Sequence, residues 1–240
     1  MIVEMALREL QSKVVPFERF IELYASSLGE PMLYRYDSDR GFRFDAPDVR
    51  HFCLLKAVRV VSCVNAAFGL ALAGYMQEIC VLLRTLVECT THIEFVLDRS
   101  GSEEHRTEVE KYVIAFFADS RRDPMADIKR AQVPQGMVHT VLGKTLDKIA
   151  EQHDDREGRV PAAILYSKIY RTYSNYVHAK YPEIMDLYGG TPGRFHLRGM
   201  SQTPKMLEIL SLLEVFFVTT SNSLVLMIQG LELHDLIAKD

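Results

Sequence analysis

From residue 47 to residue 98 the chain writes two long helical periods with a single break, at Gly74. The first, about 47 to 73, turns apolar all round in its second half (VSCVNAAFGLALAG), and a helix with no polar side has to be surrounded by protein. Gly74 supplies a tight turn into the second, about 75 to 98, which predicts an antiparallel hairpin at the centre of a bundle. No other stretch alternates polar and apolar residues convincingly at the period of a strand. The expected fold is all-α: a helical bundle with a central antiparallel helix hairpin and a long C-terminal helix. Neither an internal repeat nor a composition break divides residues 1–240, so one domain is expected.

The remaining segments follow the same reading. Residues 2 to 28 are helical in pattern and divided at Pro16. YRYDSDRGFRFDAP (34 to 47) reads as a loop whose Pro47 opens the next helix. Ser102 is expected to cap an amphipathic helix running to Arg121, with Val109, Val113, Phe116 and Phe117 on its apolar face. Helices are predicted near 124 to 131, 135 to 153 and 161 to 180. A Gly-rich connector (188 to 201) leads to the last helix, capped by Thr203 with Pro204 at its first position. That helix, about 203 to 237, would span roughly 50 Å.

Composition narrows the function classes. Hydrophobic residues at 48% and charged residues at 25% fit a soluble globular protein. A net charge of −4 argues against a general polyanion binder but leaves room for a local basic site. Cys53, Cys63, Cys80 and Cys89 lie inside apolar helices without zinc-ligand spacing, which predicts buried reduced thiols and suits a cytoplasmic location. The N-terminus, MIVEMALRELQSK, carries acidic residues where a secretory signal would be apolar. Residues 207 to 233 are interrupted by Glu208, Glu214 and the block Thr219 to Ser223, whereas a membrane span needs about 20 nearly unbroken apolar residues. No membrane association is expected. The final helix nevertheless carries more apolar residues than one core face needs (Leu207, Leu210, Leu213, Phe216, Phe217, Leu224, Met227). The excess predicts a homodimer interface or a protein partner.

Two polar stripes carry the chemistry. In RTYSNYVHAKYP (171 to 182), Arg171, Ser174, Asn175 and His178 fall within about 60° of one another, with Ser167 beside them. Tyr166, Ile169, Tyr173, Tyr176 and Val177 take the opposite, core-facing side. Ser and Asn are mediocre helix formers, so a merely solvated face does not account for them. Arg171 and His178, two turns apart, are expected to reach one phosphate-sized ligand. In LLRTLVECTTHIEFVL (82 to 97), Arg84, Glu88 and His92, with Gln77 and Thr91, share one side of an otherwise apolar helix. Partly buried charges need partners. Arg84 and Glu88 can serve each other, or the stripe can face the 161 to 180 helix. There a Glu88–His178 hydrogen bond would orient the imidazole and raise its pKa.

The LLRTLVE helix, following an apolar helix and a GYMQE turn, together with the later YSNYVH helix, resembles the HEPN superfamily of all-helical proteins over residues 47 to 180. HEPN ribonucleases carry an Arg and a His on one helix with four to six residues between them. Arg171 and His178 have six, and Thr172 stands where the family often has Asn, Asp or His. The resemblance implies a dimeric, metal-independent endoribonuclease acting on RNA as a toxin or phage-defence effector. His178 would be the general acid or base and Arg171 the phosphate-stabilising cation, with Ser174 or Asn175 donating to a phosphate oxygen.

Other features imply less. The connector GGTPGRFHLRG (189 to 199) sets Arg194, His196 and Arg198 on alternate residues, a candidate phosphate-contact loop without the P-loop pattern. HDD (153 to 155) reads as exposed charge, and there is no HExxH, so neither a metal site nor a cofactor is expected. Two readings stand beside the ribonuclease: a non-catalytic binding or assembly module in which Arg84, Glu88, Arg171 and His178 form a structural network, and a small-molecule binder using the same pocket.

Overall fold

The computed structural model of the protein describes residues 2–36, 39–118, 135–152, 162–201 and 203–237. The predictions near 124 to 131 and for HDD (153 to 155) lie outside them. The fold is an all-α bundle carrying one small hairpin. Helices α1 (Ile2–Ser12) and α2 (Val15–Ser27) are parted just ahead of Pro16, which sits in the first turn of α2, where a missing N–H costs nothing. The segment expected as a plain loop forms an antiparallel pair, β1 (Met32–Tyr36) and β2 (Asp39–Arg43), with Tyr34 opposite Gly41. Sequence reading missed it because its Arg and Asp residues hide the short period.

The hairpin leads into α3 (Val49–Ala73), which begins two residues later than Pro47 would set it. Asp48 is the N-cap, and its carboxylate accepts the backbone N–H groups of Arg50 and His51 at 2.9 and 3.1 Å. At the far end Gly74 takes φ 79°, and a Cβ there would collide with Ser201. Positive φ and close approach together require glycine at this turn. Helix α4 (Met76–Ser100) then returns against α3 as the expected antiparallel hairpin.

The centre of the bundle is α4, not α3. Helix α4 packs against α3, α5 (Arg106–Phe117), α6 (Gln135–Gln152), α7 (Ala162–Val177) and α9 (Pro204–Gly230). Helix α3 leaves Val58 and Leu72 about two-fifths exposed. Its apolar circumference is partly alanine and glycine, which count as apolar but bury little area. Ser102 does not cap α5 through its side chain: a short 3-10 turn (Glu103–His105) intervenes.

Short helix α8 (Tyr181–Met185) and the Gly-rich connector lead to α9, whose N-cap Thr203 accepts the Met206 N–H at 3.2 Å, with Pro204 first in the helix. Helix α9 stops at Gly230, about 40 Å long, shorter than expected; a turn and the one-turn α10 (His234–Ile237) finish the described chain. Helices α3 and α9 are each long and apolar enough to cross a membrane. Half of the α3 span is buried in the bundle but only 28% of the α9 span, so α9 presents a long apolar face outward. All four cysteines are buried and free.

Candidate functional site

The seam between α4 and α7 is built from side chains that reach across two antiparallel helices. Three ties set the register. Gln77 donates to the Glu183 carbonyl at 2.5 Å, Arg84 meets Tyr170 and Ser174, and Tyr166 donates to Glu94 at 3.4 Å. As numbers rise on α4 they fall on the other side.

Arg84 is the hub. Its guanidinium donates to Glu88 at 2.8 Å, to the Tyr170 hydroxyl at 2.5 Å and to the Ser174 hydroxyl at 3.1 Å, and it lies 4.7 Å from the Tyr170 ring centre. The planar fork of arginine serves three acceptors at once, which a lysine cannot do. The sequence pointed to Arg84, Glu88 and Ser174, and the structure brings them together. Tyr170 was missed because it reads as one more aromatic beside the core face. Asn175 is likewise committed: its amide donates to Glu183 at 3.0 Å.

The other half of the polar stripe faces outward. Arg171 and His178 are exposed, and neither side chain has a partner among the described residues. Arg171, with Ile164, Ser167 and Lys168, lines a shallow depression of about 380 Å³ that does not include His178. His178 lies just beyond the last residue of α7, where Ala179 turns left-handed (φ 48°) and ends the helix before Pro182. Seven residues of helix separate the two by about 10 Å, and a long helical side chain leans toward the N-terminus, away from His178. The structure does not place the two side chains at one depression: they stand about two turns apart on the outer face.

Two further expectations change. Glu88 is bound to Arg84, level with the middle of α7, while His178 is level with the start of α4, so the Glu88–His178 hydrogen bond is not formed. His92 is buried and turns to α5, where its ring meets Tyr112 edge-on at 5.5 Å. It does not belong to the Arg84 cluster, and the four-residue network of Arg84, Glu88, Arg171 and His178 divides into an inner pair and an outer pair. Val177, expected on the core side, is 41% exposed because the helix ends there.

Glu94 is a functional group the stripe reading passed over. It is largely buried between α4, α7 and α9, with hydroxyl donors from Ser223 and Tyr166 and, among the described residues, no cation paired with it. Burial pushes its carboxyl above the ordinary range, and the Ser223 and Tyr166 hydrogen bonds pull the other way. A carboxyl raised in the folded state contributes stability below its unfolded pKa and loses it as pH rises through the folded value. Glu94→Gln keeps the acceptor and removes the charge. It is expected to melt higher than wild type above that window and alike below it, as a pH series of thermal melts reads directly. A variant that melts lower at every pH would show that the carboxylate is needed as such.

The connector is ordered. Met200 N–H donates to Gly74 O and His196 N–H to Leu187 O, both at 2.8 Å, and Tyr188 bridges to Phe195. Arg194 and Arg198 are exposed and His196 partly so. Among the described residues no group of three or more His, Cys, Asp or Glu is placed to hold a metal ion. A cavity of about 860 Å³ lies elsewhere, between α2, β2, α3 and α5, walled by Leu54, Val58, Phe116 and Phe117. None of the polar-stripe residues lines it, so this cavity is separate from the α4–α7 seam.

No family model, no curated protein and no solved structure matches this chain. The functional reading therefore rests on the residues themselves.

Proposed function

We propose that the outer face of α7 engages RNA phosphates and that the protein is a metal-independent endoribonuclease of HEPN-like kind, a toxin or defence effector. The observation that carries the reading is the division of the α7 stripe. Ser174 and Asn175 are spent on structure, while Arg171 and His178 stay in water with Lys168 on the same face, without side-chain partners. Two exposed cations, Lys168 and Arg171, beside an exposed imidazole on a chain of net charge −4 are suited to a polyanion.

In this reading His178 takes the proton of a ribose 2′-hydroxyl. The 2′-oxygen attacks the adjacent phosphorus, the bond to the 5′-oxygen breaks, and that oxygen collects a proton from imidazolium or water. Arg171 holds a neighbouring phosphate about 10 Å along the strand, given its distance up the helix. The test is cleavage of a mixed RNA pool in EDTA by wild type and His178→Ala. Loss in the variant supports the reading, and no cleavage by either protein sinks it.

A second copy of the chain is the proposed occupant of the outer face of α9. Val215, Val218 and Val225 are 59, 54 and 44% exposed, and with Asn222 they form a stripe at heptad spacing. An antiparallel pair centred near Val218 sets Glu208 opposite Gln229, whereas a parallel pair would set Glu208 and Glu214 against their own copies. Val218→Asp is expected to halve the mass seen by sedimentation at micromolar concentration. A monomeric wild type would leave this face for a membrane or a different protein, the non-catalytic assembly reading.

A further inference from the structure

Between the end of α7 and the start of α9 the chain holds large apolar groups in water. Tyr181 is 78% exposed and Leu197 81%. Tyr188 and Phe195 are 38 and 45% exposed, and their rings meet edge to face at 5.5 Å. The segment is held in place despite that exposure. The Glu183 carbonyl is tied to Gln77, Gly189 N–H donates to Arg194 O at 2.9 Å, and Met200 is buried against the turn at Gly74. With the backbone held in this way, only side-chain rotamers remain to be ordered when something stacks on them.

The charges of the same segment are sorted. Its two acids point inward: Glu183 accepts from Asn175, and Asp186 accepts from the Tyr176 hydroxyl at 2.8 Å and pairs with Lys205 at 3.5 Å. Its bases point outward. Lys180, Arg194 and Arg198 are exposed and none has a side-chain partner among the described residues. Exposed rings interleaved with uncommitted cations are the two parts of a single-strand nucleic-acid surface: a π-face for each base and a cation for each phosphate.

We propose that residues 180–198 form a binding platform for single-stranded RNA. Bases stack on Tyr181 and on the Tyr188–Phe195 pair, and Lys180, Arg194 and Arg198 hold the phosphates. A duplex keeps its bases stacked on one another and offers these rings nothing. His178 lies three residues before Tyr181, so a strand lying on the platform passes the imidazole. The choice of RNA rests on the ribonuclease reading; the choice of a single strand does not.

The test uses the full chain and a fluorescein-labelled 2′-O-methyl oligouridylate of about 12 nucleotides, within the span of such grooves. Without a free 2′-hydroxyl it can be bound but not cut. Tyr181→Ala is expected to weaken binding about tenfold in fluorescence anisotropy. Arg194→Ala with Arg198→Ala is expected to flatten log affinity against log salt by about 0.7 per cation removed. Wild type should bind a duplex of the same length far more weakly. Equal affinity for wild type and variants, equal affinity for duplex, or displacement by an equimolar polyglutamate peptide would each overturn the platform. If those variants bind as wild type does while RNA is still cut, the platform fails and the ribonuclease stands. If the strand binds and RNA is never cut, the platform stands and the ribonuclease fails.

Discussion

Arg84→Ala is expected to lower the folding free energy by about 3 kcal/mol, measured by urea unfolding. The substitution strands three groups at once. Glu88, two-thirds buried, loses the guanidinium that donates to it, and the Tyr170 and Ser174 hydroxyls lose their donor. Removing one partner of a fully buried pair costs about 3–5 kcal/mol, and partial exposure of Arg84 and Glu88 places this pair at the low end. Arg84→Lys should recover only part of the loss, since an ammonium cannot present the same fork to three acceptors while lying on the Tyr170 ring. The double change Arg84→Met with Glu88→Leu should recover most of it, because neither member of the pair is then left charged without the other. A loss under about 0.5 kcal/mol for Arg84→Ala would mean that the pair behaves as a solvated surface bridge.

His178→Ala is expected to do the opposite: to leave the melting temperature where it is and to lower RNA cleavage by a factor of about 100 or more. The side chain is exposed and has no partner among the described residues, so its removal takes nothing from the fold. The wild-type products should carry 2′,3′-cyclic phosphate and 5′-hydroxyl ends, formed equally well in EDTA. Arg171→Ala should act mainly through KM, because Arg171 grips a phosphate beside the reacting one. A cleavage loss accompanied by a lower melting temperature would assign His178 to the fold. A requirement for divalent metal would remove the chemistry proposed for it.

Arg84 lies on α4 and His178 just past the end of the facing α7, and both positions were visible in the sequence, but what separates them was not. The Arg84 stripe stood out because charges on an apolar helix must find partners, and the 3.6-residue period placed Ser174 where it could be one. Periodicity could not say that Tyr170 would supply the third acceptor, nor that His92 would turn away to Tyr112. Both depend on which neighbour each side of α4 meets. Glu94 was overlooked for a related reason. One acid among apolar residues reads as surface until α9 is seen to cover it with Ser223.

The long helices were legible in the chain, because amphipathic period, the capping residue Thr203 and the breaking residues Gly74 and Pro16 act within a few residues of themselves. Also legible were the burial of the four cysteines and an α9 with more apolar surface than one core face uses. Only packing between distant segments makes α4 and not α3 central, divides the α7 stripe into a committed inner half and a solvent-facing outer half, and leaves Tyr181 and Leu197 in water beside uncommitted arginines. The physical reason is range. Helix period and capping are settled by neighbours in the chain, whereas burial and pairing of a polar side chain are settled by residues about 90 positions away, as Ser174 is from Arg84.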